Sequence, residues 1–398
     1  MHGTKFIDTG NYRTLIIAGI GTIGKSLVTL GGDHFSSFEY TITVDKDVAC
    51  YMPLENSNIV CMAGDITEPQ FLKTLMALIP GPALFVNLCS GTNNVRIRQN
   101  LARHNTAYLD SCASATMNPG EYRFSRLMPY TYTEIASSRP HWLCWGINPG
   151  LVEIITRRIL ADLPESSSQA YDVAVFEFDR LKTRGTANKA AVGWCPEALV
   201  EEIMLAPSLE IVNGRLQEDS NTGTRECLVS WDDQIIPAKI VGHEDIWNLL
   251  EIPGVKNGSF YYSLSPEVMD ILSMDDPKIA RSMLRIPGKG DNISGLEQVA
   301  VQVREKNLAQ HKTLVWTEDH GETWKKHGVN AVQYQTAKSL LLAILLLQHT
   351  GYGLIPHSFN ASTLPITSHD WPIIDHLMHE LGITWQDGAY LDLQVARC

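Results

Sequence analysis

The sequence predicts an α/β protein in which a doubly wound parallel sheet is followed by an α+β second domain with a largely antiparallel sheet. Three observations lead there. A strand runs through a glycine turn into a helix at residues 15–28, strands and helices then alternate as far as residue 163, and beyond that point long strand-like runs take over. With 398 residues the chain is long enough for more than one core. The texture divides it into residues 1–164, residues 165–330, and a helical segment, 331–398, that returns to the first domain.

The glycine turn comes first. Leu15, Ile16, Ile17 and Ala18 lead straight into Gly19-Ile20-Gly21-Thr22-Ile23-Gly24, a G-x-G-x-x-G pattern, and then into Lys25-Ser26-Leu27-Val28. In such a turn Gly19 permits the tight bend, Gly21 lets the backbone approach a pyrophosphate, and Gly24 lets the helix pack close to the strand. The helix N-terminus then faces the phosphates. A second strand, Tyr40 to Val44, ends in Asp45, where the dinucleotide fingerprint wants an acid for the ribose. Gly19, Gly21, Thr22, Ile23, Gly24 and Asp45 therefore form a candidate cofactor site of Rossmann type. Asp45 favours NAD over NADP, because its carboxylate accepts from a free 2′-hydroxyl and repels a 2′-phosphate; Lys46 softens this slightly.

The same alternation continues. Asn58 to Ala63 reads as a strand, Glu68 to Ile79 as a helix stopped by Pro80-Gly81-Pro82, Ala83 to Leu88 as a strand, Asn93 to Arg103 as a helix, and Thr106 to Asp110 as a strand. Near-continuous apolar strands of this kind belong to a parallel sheet covered on both faces, and ligands bind at the carboxyl ends of its strands. Asp45, Asp65, Asn87, Ser90 and Asp110 stand at those ends. A sixth strand, His141 to Trp145, ends in Gly146-Ile147-Asn148-Pro149-Gly150, which makes Asn148 either a strand-end site residue or ordinary turn chemistry, and the helix Leu151 to Leu163 follows.

After Pro164-Glu165-Ser166-Ser167-Ser168, which reads as a linker, come the strand-like runs Tyr171 to Phe178, Arg225 to Trp231 and Ile235 to Val241. Leu296 to Val303 alternates with period two, with Lys312 to Trp316 as its expected hairpin partner and one face buried. Val332 to Gln348 reads as a long core helix. Its run from Leu340 to Leu347 is far short of the ~20 residues of a membrane span, so a helix buried on all sides is expected.

Composition excludes several classes. The net charge is −12, from 32 basic and 44 acidic residues, and no basic cluster offers a nucleic-acid surface. The N-terminus lacks the apolar core of a signal peptide. Eight cysteines are scattered without a C-x-x-C pair and read as reduced packing residues of a cytoplasmic protein. His369, His376, His379 and Glu380 match no metal signature, and surface histidines on an amphipathic helix are expected there; no metal site is assigned.

Over most of its length the chain resembles the homospermidine synthases of the saccharopine dehydrogenase-like group. Ile17 to Gly24 resembles the family's cofactor turn, and Phe85-Val86-Asn87-Leu88 and Tyr108-Leu109-Asp110 resemble its following strands. Cys144 to Gly150 is similar to its G-x-N-P-G segment, which implies that Asn148 lies beside nicotinamide and substrate. Gly193-Trp194-Cys195-Pro196-Glu197, with Glu201-Glu202 after it, is similar to an N-T-W-x-x-E segment and its acidic pair, which gives Glu197 the role of holding a substrate amine. Gly242-His243-Glu244-Asp245 is similar to a T-H-x-E segment, with His243 as pocket histidine and Asp245 as its acid. Gly91 stands where the family has an aspartate, and its stacking tryptophan has no counterpart around Leu209 to Asn213.

The resemblance implies an NAD-dependent, homodimeric enzyme that converts a polyamine such as putrescine to homospermidine and ammonia, with the hydride returned within one turnover. Such chemistry needs carboxylates to hold ammonium groups and a proton carrier for the amine. Glu197 and Asp245 suit the first task. His243, which titrates near neutral pH, suits the second. Without the resemblance, Glu197 reads as a first-turn acid of its helix and His243 as a hydrogen-bonded core residue. Trp194, Trp231 or Trp247 are candidates for the stacking role. Two alternatives stand beside this one: reductive condensation of an amine with a carbonyl compound, as in saccharopine or carboxynorspermidine dehydrogenases, with Arg180, Lys182 and Arg184 to meet a carboxylate; and a non-catalytic NAD-binding regulator.

Overall fold

The computed structural model describes residues 10–47, 59–115, 123–163, 170–184, 189–219, 224–305 and 311–394. The predicted linker at 164–168, the N-terminal residues 1–8 and Asn58 lie outside them. The chain separates into two compact units, one made of Met1–Pro119, Arg126–Leu151 and Thr336–Gly382, the other of Gly120–Ser125, Val152–Gln335 and Ile383–Cys398.

The first unit holds a seven-stranded parallel sheet. Its strands are β1 (Thr14–Ala18), β2 (Tyr40–Asp45), β3 (Ile59–Ala63), β4 (Ala83–Asn87), β5 (Thr106–Asp110) and β6 (His141–Trp142), joined at the β6 edge by Ser358–Phe359. The order is Ser358–Phe359, β6, β5, β4, β1, β2, β3. Successive strands step away from β1 in opposite directions, so the order reverses between β1 and β4, the place where such sheets open a crevice. β1, β4 and β5 are buried at every position, as their unbroken apolar runs require. Helices α1 (Thr22–Gly31), α2 (Pro69–Leu78) and α3 (Asn94–Leu101) link the strands. Leu72, Leu75, Ile97 and Leu101 pack on Ile16, Phe85 and Tyr108 in one apolar cluster.

The helix Ala331–His349 contributes its greater part to this unit. Leu340 to Leu347 is buried residue by residue, which explains why its apolar run has no polar face. Beyond it, the Gln348 amide brackets the start of the sheet: its Oε1 accepts from the Tyr12 N–H at 2.9 Å and its Nε2 donates to the Tyr12 carbonyl at 3.0 Å. Among the described residues no helix is long and apolar enough to cross a membrane.

The second unit is built on a ten-stranded sheet. Its central strand, Tyr171–Asp179, lies between Leu296–Glu305, antiparallel to it, and Val255–Ser263, parallel to it. The expected hairpin of Leu296–Glu305 with His311–Asp319 is present, and Gln234–Val241 and Arg225–Trp231 extend the other side antiparallel. The strand Leu296–Glu305 departs from expectation in one respect: Val299 through Val303 is buried on both faces, so the sheet is covered on both sides there and not on one. One face carries an apolar cluster of Phe176, Trp231, Ala238, Tyr261 and Ala300. The alternate positions place Glu177 and Asp179 on the opposite face, since neighbouring strand residues point to opposite sides.

Candidate active site

In the first unit the glycine turn has the geometry its sequence requires. Gly19 has φ +87°, in the region that favours glycine. A Cβ at Gly24 would meet the Gly19 carbonyl oxygen at 2.1 Å, so only glycine lets α1 come this close. At Gly21 a Cβ would meet nothing within 4 Å: here the glycine leaves the approach to the helix N-terminus open. No side chain caps α1, and its first turn contains no acid. The backbone N–H groups of that turn, with Thr22 and Ile23 among them, are therefore oriented for an anionic ligand. Asp45 ends β2 beside them and its Oδ2 accepts from the Ile20 N–H at 2.7 Å. These residues fit a dinucleotide.

The other strand-end residues have different surroundings. Asn87 is buried and donates to Asn94 Oδ1 and to the Tyr108 hydroxyl, both at 3.0 Å, while its Oδ1 accepts from the Cys89 N–H. Asp110, also buried, accepts from the Cys144 N–H at 2.7 Å and from Asn94 Nδ2 at 3.1 Å. Burial pushes its carboxyl up to about 6, against the pull of those donors and of Arg98. Asn87 and Asp110 thus tie the strand ends together from inside. Asp65 pairs with Lys46 at 2.8 Å and accepts from Thr67. Asn148 precedes Pro149 through a cis peptide, in the turn where the Gly146 N–H donates to the Pro149 carbonyl. Gly91, at φ +67°, has no neighbour within 4 Å of a Cβ position.

In the second unit the chemistry gathers around His243, the N-cap of the helix Glu244–Leu249. Its ring stacks on Phe260 with centroids 4.6 Å apart and planes 10° apart. Nδ1 lies 3.1 Å from Asp245 Oδ2 and 3.8 Å from Glu244 Oε2, and Nε2 lies 3.9 Å from Glu202 Oε1. Burial disfavours charge on the ring, but Asp245, Glu202 and Glu244 together hold its pKa well above the ordinary value. Burial raises Asp245 in turn, partly offset by His243. Glu153, on the helix Leu151–Asp162, accepts from Asn248 at 2.9 Å and braces this helix end.

Glu202 joins this group, although the sequence reading left it in the background. The helix Pro196–Val200 widens into a π turn over Glu201–Leu205, a feature that recurs at functional sites. Within that turn Glu201 is exposed and Glu202 largely buried. Burial is the main force pushing its carboxyl up to about 8, with Glu177, Glu244 and Asp245 adding to the rise and His243 opposing it. The available signal was the acidic pair itself. Glu197, by contrast, is exposed in the first helical turn and ion-paired with Arg281.

Trp194 donates from Nε1 to the hydroxyl of buried Tyr262 at 3.2 Å, whereas Trp231 lies in the apolar cluster on the opposite sheet face. Arg180 is committed to the fold: its guanidinium donates to the carbonyls of Ser263 and Leu264 and to Ser263 Oγ, and lies over the Phe178 ring at 3.8 Å. Lys182 and Arg184 are exposed on their strand.

Asp179, Glu297 and His320, all buried, each bring a potential ligand atom within 4.8 Å of the others. His320 nevertheless has the wrong tautomer for a metal. Its Nδ1 accepts from the Ala331 N–H at 3.1 Å, so the ring proton sits on Nε2 and points to Asp179 Oδ1 at 3.0 Å.

No protein-family model and no curated protein matches the sequence. Among solved structures, the chain is similar to the homospermidine synthase of Legionella pneumophila, crystallised with NAD, at 14% identity and a TM-score of 0.70. That match covers 96% of this chain and 92% of the other. It is also similar to apo saccharopine dehydrogenase (L-Glu forming) of Saccharomyces cerevisiae, at 9% identity and a TM-score of 0.61, covering 96% and 99% of the two chains. The chain shares their fold.

Proposed function

We propose that this protein is an NAD-dependent enzyme acting on amines, of the homospermidine synthase kind, with putrescine as substrate. The observation that carries the reading is the buried group of Glu202, His243 and Asp245, beside Trp194 and Tyr262. Unlike a site built for a carboxylate, it gathers acids around one imidazole. Burial makes each of these carboxylates costly without a cation, and an ammonium group answers that need.

NAD, when bound, supplies the hydride acceptor and donor. Gly19, Gly21, Thr22, Ile23 and Gly24 hold its pyrophosphate, and Asp45 accepts from the ribose. Glu202 holds the substrate ammonium, the task the family pattern gives to Glu197. His243, kept cationic by Asp245, gives and takes the proton that separates ammonium from reactive amine. Trp194 offers the aromatic face for a cationic imine, worth ~0.5–2 kcal/mol.

The carbonyl-acid alternative is less well supported, since Arg180 spends its donors on backbone carbonyls and Lys182 and Arg184 are exposed. The test is incubation of the purified protein with putrescine and NAD, followed by mass spectrometry. Homospermidine and ammonia without net NADH are expected. Cofactor consumption only with an amine plus a carbonyl acid would favour the dehydrogenase reading, and NAD binding without turnover on any amine would favour a regulator.

A further inference from the structure

We infer that Asp65 is a second cofactor-discriminating acid, which withholds Lys46 from the 2′-phosphate of NADP and so completes the preference for NAD that Asp45 begins. This deepens the NAD reading above and rests on it. Asp45 ends β2 and Ala63 ends β3, and the two are register partners in neighbouring parallel strands. The Gly64 N–H donates to the Asp45 carbonyl at 2.8 Å, which carries the pairing one residue past the strand end. Asp65 therefore leaves β3 beside Lys46, the residue that follows Asp45.

The Asp65 carboxylate divides its two oxygens. Oδ1 accepts from the Thr67 N–H at 2.9 Å and from the Thr67 hydroxyl at 2.6 Å, while Oδ2 faces the Lys46 ammonium at 2.8 Å. The Asp65 carbonyl accepts from the Glu68 N–H at 3.0 Å, closing the turn that opens α2. The acid is thus anchored, and the long lysine side chain is the partner drawn in. Burial works against charge on Asp65, yet Lys46 and Thr67 together hold its carboxyl below the ordinary value. The hydrogen bond to Asp65, followed by its charge, raises Lys46 in turn. NADP differs from NAD by a phosphate on the adenosine ribose, and a cation next to the ribose-binding acid is what such a group needs. Here that cation is present in the sequence and engaged in the structure. The Lys46 side chain is 68% exposed, so the pair adds little to stability. Its effect is on orientation and charge. To meet a 2′-phosphate, Lys46 has to leave an anchored carboxylate, and the phosphate has to approach both Asp45 and Asp65.

Fluorescence titration of the purified protein with NADH and with NADPH reads this discrimination as a ratio of two dissociation constants. The parent should bind NADH ~100-fold or more tightly than NADPH. Asp65→Asn, whose amide oxygen keeps an acceptor for Thr67, should narrow that ratio about tenfold. Adding Lys46→Met to it should return the ratio to near the parent's. Glu68 also acts on Lys46, from outside the pair. Glu68→Gln removes that charge without releasing the lysine and should leave the ratio within about twofold. An unchanged ratio in Asp65→Asn, or a gain that survives Lys46→Met, would overturn the inference while leaving NAD binding intact. An equal gain in Glu68→Gln would also overturn it, by making the effect one of overall charge. A parent that binds neither nucleotide would remove the cofactor reading and the inference with it.

Discussion

The glycine turn of the first unit and the acidic face of the second are built on opposite principles. The turn is made from backbone: its donors are peptide N–H groups, and its glycines count for the side chains they lack. All of it except Asp45 comes from six consecutive residues. The acidic face is made from side chains that approach from different parts of the chain. Glu202 and His243 stand far apart in the sequence and meet through a π turn and a helix cap. A local backbone device tolerates changes around it; a buried charge cluster does not, because each member is balanced by the others.

Substitutions can break this contrast. The largest effect is expected for His243→Ala, which leaves Asp245 and Glu202 buried without their shared cation. Breaking a buried pair in this way costs ~3–5 kcal/mol, so thermal unfolding should begin at a markedly lower temperature. Next, Glu202→Gln should slow amine turnover by ~100-fold or more, the scale of a misplaced acid–base group, with NAD affinity unchanged. Glu197→Gln, at an exposed pair, should stay within about threefold in the same assay. Equal losses in the two variants would return the amine-holding role to Glu197.

Gly21→Ala sharpens the other side of the comparison. The added methyl meets nothing in the protein, so the melting temperature should hold while NAD affinity falls about tenfold, ~1.4 kcal/mol, as read by fluorescence titration. A fall in both would mean that Gly21 serves the fold and not the ligand. The same buried acid also predicts a slope of stability with pH. Glu202 titrates at about 8 in the folded protein against an ordinary 4.5, so the folded state keeps a proton that the unfolded chain has lost. Its contribution is fully present below pH 4.5 and is lost as pH rises toward 8, by up to ~1.4 kcal/mol per pH unit. Chemical denaturation of the amine-free protein across pH 5–8 should show that slope, and Glu202→Gln should flatten it.

Much of the fold was legible from local pattern. The G-x-G-x-x-G turn, the apolar strands β1, β4 and β5 and the helix around Leu340 to Leu347 each follow from residues close in sequence, whose spacing fixes conformation and burial together. The parallel pairing of Tyr171–Asp179 with Val255–Ser263 was not legible, because nothing local chooses a strand's partner across some eighty residues. Glu202 was named only as half of an acidic pair, since the π turn that buries one glutamate and exposes the other depends on what packs against it. Asn87 and Asp110 stood correctly at strand ends, yet their hydrogen bonds to each other's neighbours required the sheet order.

By itself, then, the sequence determined where the chain turns for a phosphate, which strands are buried and where Asp45 ends β2, since these depend on backbone sterics and short-range periodicity. Only the tertiary structure decided which carboxylates lose their water. That outcome is set by register and burial, and it separates exposed Glu197, paired with Arg281, from Glu202 and Glu297, whose ionisation the surrounding acids oppose.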